Sequence, residues 1–148
     1  MRNLFRWRWL GLIIGISLLS TAIARGELRE AGIAFLVGAV GGLIVDTLGI
    51  KWLRLWEYPR QPFFSKKYFA FITTGWGIFG MMVNLLWNWC DINPWWLALL
   101  FSTVILFLVC ELPNFLTKSW TYKAPWWSIV AGWFPLVLSL RGVFNLLS

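Results

Sequence analysis

Histidine is absent from this 148-residue chain. Its absence removes the Ser-His-Asp triad, His-ligated haem or chlorophyll, and the His-rich di-iron sites. Cysteine is scarce, at Cys90 and Cys110. Cys90 follows one apolar run and Cys110 lies deep in the next. At a rise of about 1.5 Å per helical residue they sit at different depths, and no disulfide is expected. There is no CxxC, no HExxH, no phosphate loop and no nucleophile elbow, so no metal or cofactor is expected.

The largest deficit is charge, at 13% of residues, where soluble domains carry about 25%. So few charges cannot cover a soluble surface, and lipid becomes the solvent for most of it. A net charge of +7 would point to nucleic acid in a soluble protein. Here the basic residues fall in short breaks between apolar runs, which is membrane topology and not a nucleic-acid patch.

The apolar runs predict an all-α, polytopic transmembrane helical bundle forming a single integral membrane domain over residues 1–148. The expected spans are residues 9–24, 31–50, 68–89, 94–116 and 125–147, each long enough, or nearly so, to cross about 30 Å of hydrocarbon. The first run has a second reading. A basic start, a short apolar stretch and Ala22-Ile23-Ala24 resemble a cleavable signal peptide, which would leave four spans. Pro113 and Pro135 lie inside spans and are expected to kink or end their helices.

Five spans fix an orientation. With the N-terminus cytoplasmic, the inner segments hold Arg2, Arg6, Arg8, Lys51, Arg54, Arg60, Lys66, Lys67, Lys118 and Lys123. The outer side receives only Arg25, Arg29 and Arg141. The positive-inside rule therefore predicts a cell-membrane protein with its N-terminus inside and C-terminus outside. Most of the tryptophans fall at span ends, as an aromatic belt. Only Trp76 and Trp133 fall deeper. The alternative to a belt is an aromatic cage for a cation or a sugar ring.

Two stretches echo each other, Asp46 to Pro59 and Glu111 to Pro125. Each starts with a carboxylate at the end of an apolar run. Each passes Gly49 or Asn114 three residues on, gains lysine, and reaches Trp-x-Tyr and then proline. The repeat is parallel and predicts two copies of a helical hairpin related by a pseudo-two-fold axis along the membrane normal, as in some transporters. A carboxylate inside a span is costly unless paired, protonated or hydrated, so Asp46 and Glu111 are candidate functional residues. The alternative is anchoring by Lys51, Arg54, Lys118 or Lys123. Glu57 is a third, interfacial candidate.

Small and polar residues line single helical faces. Gly38, Gly42, Asp46 and Gly49 share one. Thr73, Gly77, Gly80, Asn84 and Asn88 share another, Glu111 and Asn114 a third, and Ser128, Gly132, Pro135, Ser139 and Gly142 a fourth. Asn84, Asn88, Asn114, Tyr58 and Tyr122 are therefore candidate binding residues. Arg141 is expected either to snorkel outward or to pair with Asp91 and bond Asn84 or Asn88. Beyond the lipid bilayer, partners are a second copy or another membrane protein, docked through Gly11-x-x-x-Gly15 or Gly38-x-x-x-Gly42.

Asp46-x-x-Gly49, Leu55-Trp56-Glu57-Tyr58-Pro59 and the later Glu111 with Trp-x-Tyr resemble two groups. One is an uncharacterised set of small multi-pass membrane proteins from Gram-positive bacteria. The other is the integral membrane lycopene cyclases and carotenoid hydratases. The second resemblance implies that Asp46, Glu57 and Glu111 protonate a polyene. The Pro-x-Glu-Glu signature of the cyclases is absent, since Glu111-Leu112-Pro113 does not match it.

The expected role is a binding, assembly or accessory membrane protein without chemistry of its own. The alternatives are a small transporter using Asp46 and Glu111, and an acid–base enzyme on a membrane-dissolved, isoprenoid-like substrate. An enzyme of that kind requires an apolar pocket ending at the carboxylates. An accessory protein requires them separately paired to basic side chains.

Overall fold

The computed structural model describes residues 2–58, 65–91, 94–118 and 120–148, except for the side chains of residues 2–8, Pro113 and Thr117. Pro59, Arg60 and the expected turn residues Ile92 and Asn93 lie outside the described residues.

The chain forms a helical bundle. Helix α1 (Arg2–Ala24) leads through a tight turn into α2 (Leu28–Asp46), which widens into a π-helical turn, Thr47–Trp52. A short strand β1 (Trp56–Glu57) follows, and then α3 (Lys66–Cys90). Helix α4 (Trp95–Leu106) widens into a second π-helical turn, Phe107–Glu111, and continues as α5 (Leu112–Thr117). Strand β2 (Thr121–Tyr122) and the long α6 (Trp126–Leu147) complete the fold.

Four continuous helical stretches are long and apolar enough to cross a membrane: Leu28–Trp52, Lys66–Cys90, Trp95–Leu116 and Trp126–Leu147. They match four of the expected spans to within three residues at each end. The apolar part of α1, Trp9–Ala24, is shorter than these.

Local chemistry explains the boundaries. Ser65 caps α3 by accepting the Tyr68 N–H at 3.1 Å, the usual service of a serine at a helix start. Asp91 ends α3 in the left-handed region. The second π-helical turn ends at Glu111, two residues before Pro113, whose missing N–H would break an α-helical ladder there. Pro135, by contrast, does not end α6, which runs through it.

Helices α2 and α3 pack closest. A Cβ on Gly38 would fall 2.7 Å from the Gly80 Cα, and one on Gly80 would fall 2.6 Å from the Gly38 Cα. Glycine at both positions permits this close approach, the kind of packing by which helices associate in lipid. The Gly38 and Gly42 face is thus covered by α3 of the same chain, with Trp76 against Gly42. Gly15 meets Ile78, while Gly11 faces open space.

The core has two parts. Leu18 and Ala22 of α1, Ala34 of α2, Leu85 of α3 and Phe144 of α6 form the first. Val37, Phe79, Leu106, Trp133 and Val137 form the second. Large apolar side chains such as Leu36, Ile44, Phe115, Trp126 and Trp127 remain exposed on the outer faces.

Candidate functional site

Connectivity brings the end of α2, the start of α3, the end of α4 and the start of α6 to one end of the bundle. The two strands pair there as an antiparallel ribbon, with Trp56 opposite Tyr122 and Glu57 opposite Thr121. The Lys123 N–H extends it by donating to the Leu55 carbonyl at 2.7 Å. The two Trp-x-Tyr motifs therefore pair with each other. The Tyr58 and Trp120 rings stand 6.2 Å apart, edge to face. Antiparallel pairing of like segments, each Trp facing the other copy's Tyr, is the mark of a local two-fold relation.

Other features of the two stretches are matched as well, although α2 and α3 pack far more closely than α4 and α6. Each carboxylate borders a π-helical turn: Asp46 just precedes one and Glu111 closes the other. Such turns are rare and recur at functional sites. After each comes a basic residue with left-handed backbone, Arg54 at φ 52° and Lys118 at φ 50°. The second helix of each hairpin then returns an indole toward its own carboxylate, Trp76 for Asp46 and Trp133 for Glu111. The Trp76 and Trp133 rings lie 6.2 Å apart, where the two halves meet.

Asp46 is fully buried. It accepts from the Trp56 indole, the Tyr58 hydroxyl and the Tyr68 hydroxyl, each at 3.3 Å. Tyr58 also reaches the second carboxylate oxygen at 3.3 Å. Glu111 accepts from the Tyr122 hydroxyl at 2.5 Å and from the Trp133 indole at 3.2 Å. All three tyrosines of the chain thus serve the two carboxylates. Among the described residues no lysine or arginine pairs with Asp46 or Glu111. In place of Lys51, Arg54, Lys118 or Lys123, which the alternative reading called for, neutral hydroxyl and indole donors hold them. Lys123 instead bridges Glu57 at 2.6 Å on the exposed ribbon.

The two copies differ in tightness. An O–H···O bond is usually about 2.5–3.0 Å long. The Tyr122–Glu111 bond is at the short limit, while the Tyr58 and Tyr68 bonds to Asp46, at 3.3 Å, are longer than this range. Gly49 and Asn114 underlie part of the contrast. A Cβ at Gly49 would fall 2.0 Å from the Trp56 ring, so only glycine lets that indole lie over the helix end and reach Asp46. In the other copy, Asn114 takes the Trp120 backbone N–H at 2.9 Å.

A cavity of about 650 Å³ opens between the halves. Asp46 reaches it, and Trp56, Tyr58, Phe71, Trp76, Trp120 and Trp133 form much of its wall. Tyr122 and Cys110 line the other side. Glu111 stands behind Tyr122 and does not line it. Glu57 also lies outside. Burial pushes the Tyr58 and Tyr122 hydroxyls well above their ordinary range, and the neighbouring Asp46 charge and the Glu111 hydrogen bond add to this respectively.

The asparagines are not brought together. Asn114 belongs to the carboxylate end. Asn84 and Asn88 lie near the far end of α3, where Arg141 donates to the Asn84 carbonyl at 3.2 Å and to Asn88 Oδ1 at 2.6 Å. The Arg141 guanidinium also lies over the Trp87 ring, 5.2 Å from its centroid. Of the two fates expected for Arg141, bonding to the asparagines is the one observed, with no ion pair to Asp91. Sequence reasoning missed Tyr68 as a carboxylate partner. It noted Trp76 and Trp133 only as the deep tryptophans, and that depth was the available signal.

No family model, no curated protein and no solved structure matches this chain.

Proposed function

We propose that this protein is a membrane-embedded acid–base enzyme. In this reading it draws an apolar, isoprenoid-sized molecule from the bilayer into the cavity and exchanges a proton with it at Asp46. The N-terminus and the ribbon face the cytoplasm, and the C-terminus lies outside. The observation that carries the reading is the aromatic cavity ending on a buried carboxylate that no basic side chain among the described residues neutralises. Ligand pockets commonly measure about 300–1,000 Å³ and combine apolar walls with a few convergent polar groups.

Roles follow from the geometry. Asp46 holds or gives up the proton. Tyr58 touches both of its oxygens and links it to the ribbon, a route for replacing that proton. Tyr68 and Trp56 orient the carboxylate. Glu111 and Tyr122 hold the opposite wall as a scaffold. The resemblance to the lycopene cyclases and carotenoid hydratases points to the same class of substrate.

A photoreactive farnesyl ether in membranes containing the full chain tests binding. Labelling is expected on Phe71, Trp76 or Leu136, competed by excess farnesol. Uncompeted labelling of the outer faces, at Leu36 or Ile44, would sink the reading. For the chemistry, membranes are incubated in deuterium oxide with an isoprenoid that is bound competitively. Deuterium is expected in the recovered isoprenoid with the wild type and not with Asp46→Asn.

A further inference from the structure

We infer that the cavity also takes lipophilic organic cations, with Asp46 as their counter-charge, and that a proton and a cation exclude each other there. This rests on the reading of the cavity as a ligand site and names a ligand class for it.

The argument begins with the solvent. A neutral isoprenoid is solvated about equally by lipid tails and by an apolar cavity, so its binding draws on shape and packing alone. A positive charge gains a great deal, because the bilayer interior offers it nothing. Aromatic faces carry a negative quadrupole that attracts cations, most strongly where water is excluded. Trp56, Tyr58, Phe71, Trp76, Trp120 and Trp133 present rings to this one space.

The charge balance points the same way. Among the described residues no lysine or arginine lines the cavity, and Lys66 and Lys67 beside Tyr68 are exposed. Lys51 and Arg54 are exposed, Lys123 is engaged by Glu57, and Arg141 belongs to the far end with Asn84 and Asn88. Among the described residues Asp46 is held by neutral donors, at 3.3 Å from Trp56, Tyr58 and Tyr68 and with the Trp76 indole beside them. A buried carboxylate in this position carries either a proton or a cation. The titratable groups facing it among the described residues are Tyr58 beside β1 and Tyr68 on α3. Cys110 and Tyr122 line the opposite wall, with Glu111 behind Tyr122. None of these brings a positive charge.

The test uses tetraphenylphosphonium and its neutral relative triphenylphosphine, with the full-length protein in detergent and equilibrium dialysis as the readout. Saturable phosphonium binding is expected, at least roughly tenfold tighter than phosphine binding. That preference should fall on acidification and in Asp46→Asn. The phosphonium has no proton to lose, so its pH dependence reports the protein. The wild-type comparison stands even where the variant fails to fold. Equal affinity for the two probes, or a preference unmoved by acid, overturns the cation inference and leaves a neutral-ligand cavity intact. No saturable binding of either probe overturns both readings.

Discussion

Asp46 and Glu111 occupy matched positions but are held differently, and the difference separates their expected mutant behaviour. The short Tyr122 bond ties Glu111 to the ribbon, and removing that hydroxyl leaves the buried carboxylate with the Trp133 indole alone. Tyr122→Phe should therefore cost about 1–3 kcal/mol of stability, read as a lower thermal unfolding temperature in detergent. Asp46→Asn keeps an acceptor for Tyr58 and should unfold close to the wild type while losing ligand. Gly49→Ala should behave as a site mutant without touching a carboxylate. Its Cβ drives the Trp56 indole off Asp46, and quenching of tryptophan fluorescence by bound ligand should fall. Tyr58 and Tyr122 give a pH prediction. Their folded pKa values are raised, so their contribution is complete below the unfolded value near 10 and is lost as the medium becomes more alkaline. With Tyr68→Phe, absorbance should show both ionising only together with unfolding. Reversible ionisation at the ordinary value in a folded protein would refute their burial. At this scale the sequence exposed the carboxylates, because charge inside an apolar run is conspicuous. It hid Tyr68, which opens a span and reads there as one more belt aromatic.

Among the elements, the ribbon and the two π-helical turns organise the site, and the α2–α3 contact sets the frame. Gly80→Ala places a Cβ 2.3 Å from the Ala34 carbonyl oxygen, against backbone that cannot rotate away. Overpacking of this kind costs about 1–3 kcal/mol, so a lower yield of folded protein and a lower unfolding temperature are expected. Gly132→Ala, with nothing within 4 Å of its Cβ, serves as the control. The repeat was legible because its residues recur in the same order. The pairing of its copies was not. A two-residue strand has no period to detect, and nothing local says that one Trp-x-Tyr lies against another. The π-helical turns were equally hidden, since a single extra residue per turn leaves no mark on an apolar run.

For the whole molecule, run length and composition were sufficient to read four membrane-long helices, because apolar length is the main demand a bilayer makes. Orientation is the prediction that belongs here. Cys90 is exposed and Cys110 partly covered, and they sit toward opposite ends of the bundle. In intact cells a membrane-impermeant maleimide should label Cys90 and spare Cys110. Labelling of Cys90 only after lysis would reverse the topology and place the ribbon outside.

Arg54 and Lys118 each sit where glycine would rest without strain. For L-residues the left-handed backbone costs roughly 1–2 kcal/mol. Replacing both with glycine should make the finished protein more robust to heat and at the same time weaken the charge signal read while the chain enters the bilayer. Molecules of the double variant should then be found facing both ways across the membrane. On this view the chain gives up some durability of the folded product for a correct entry into the membrane.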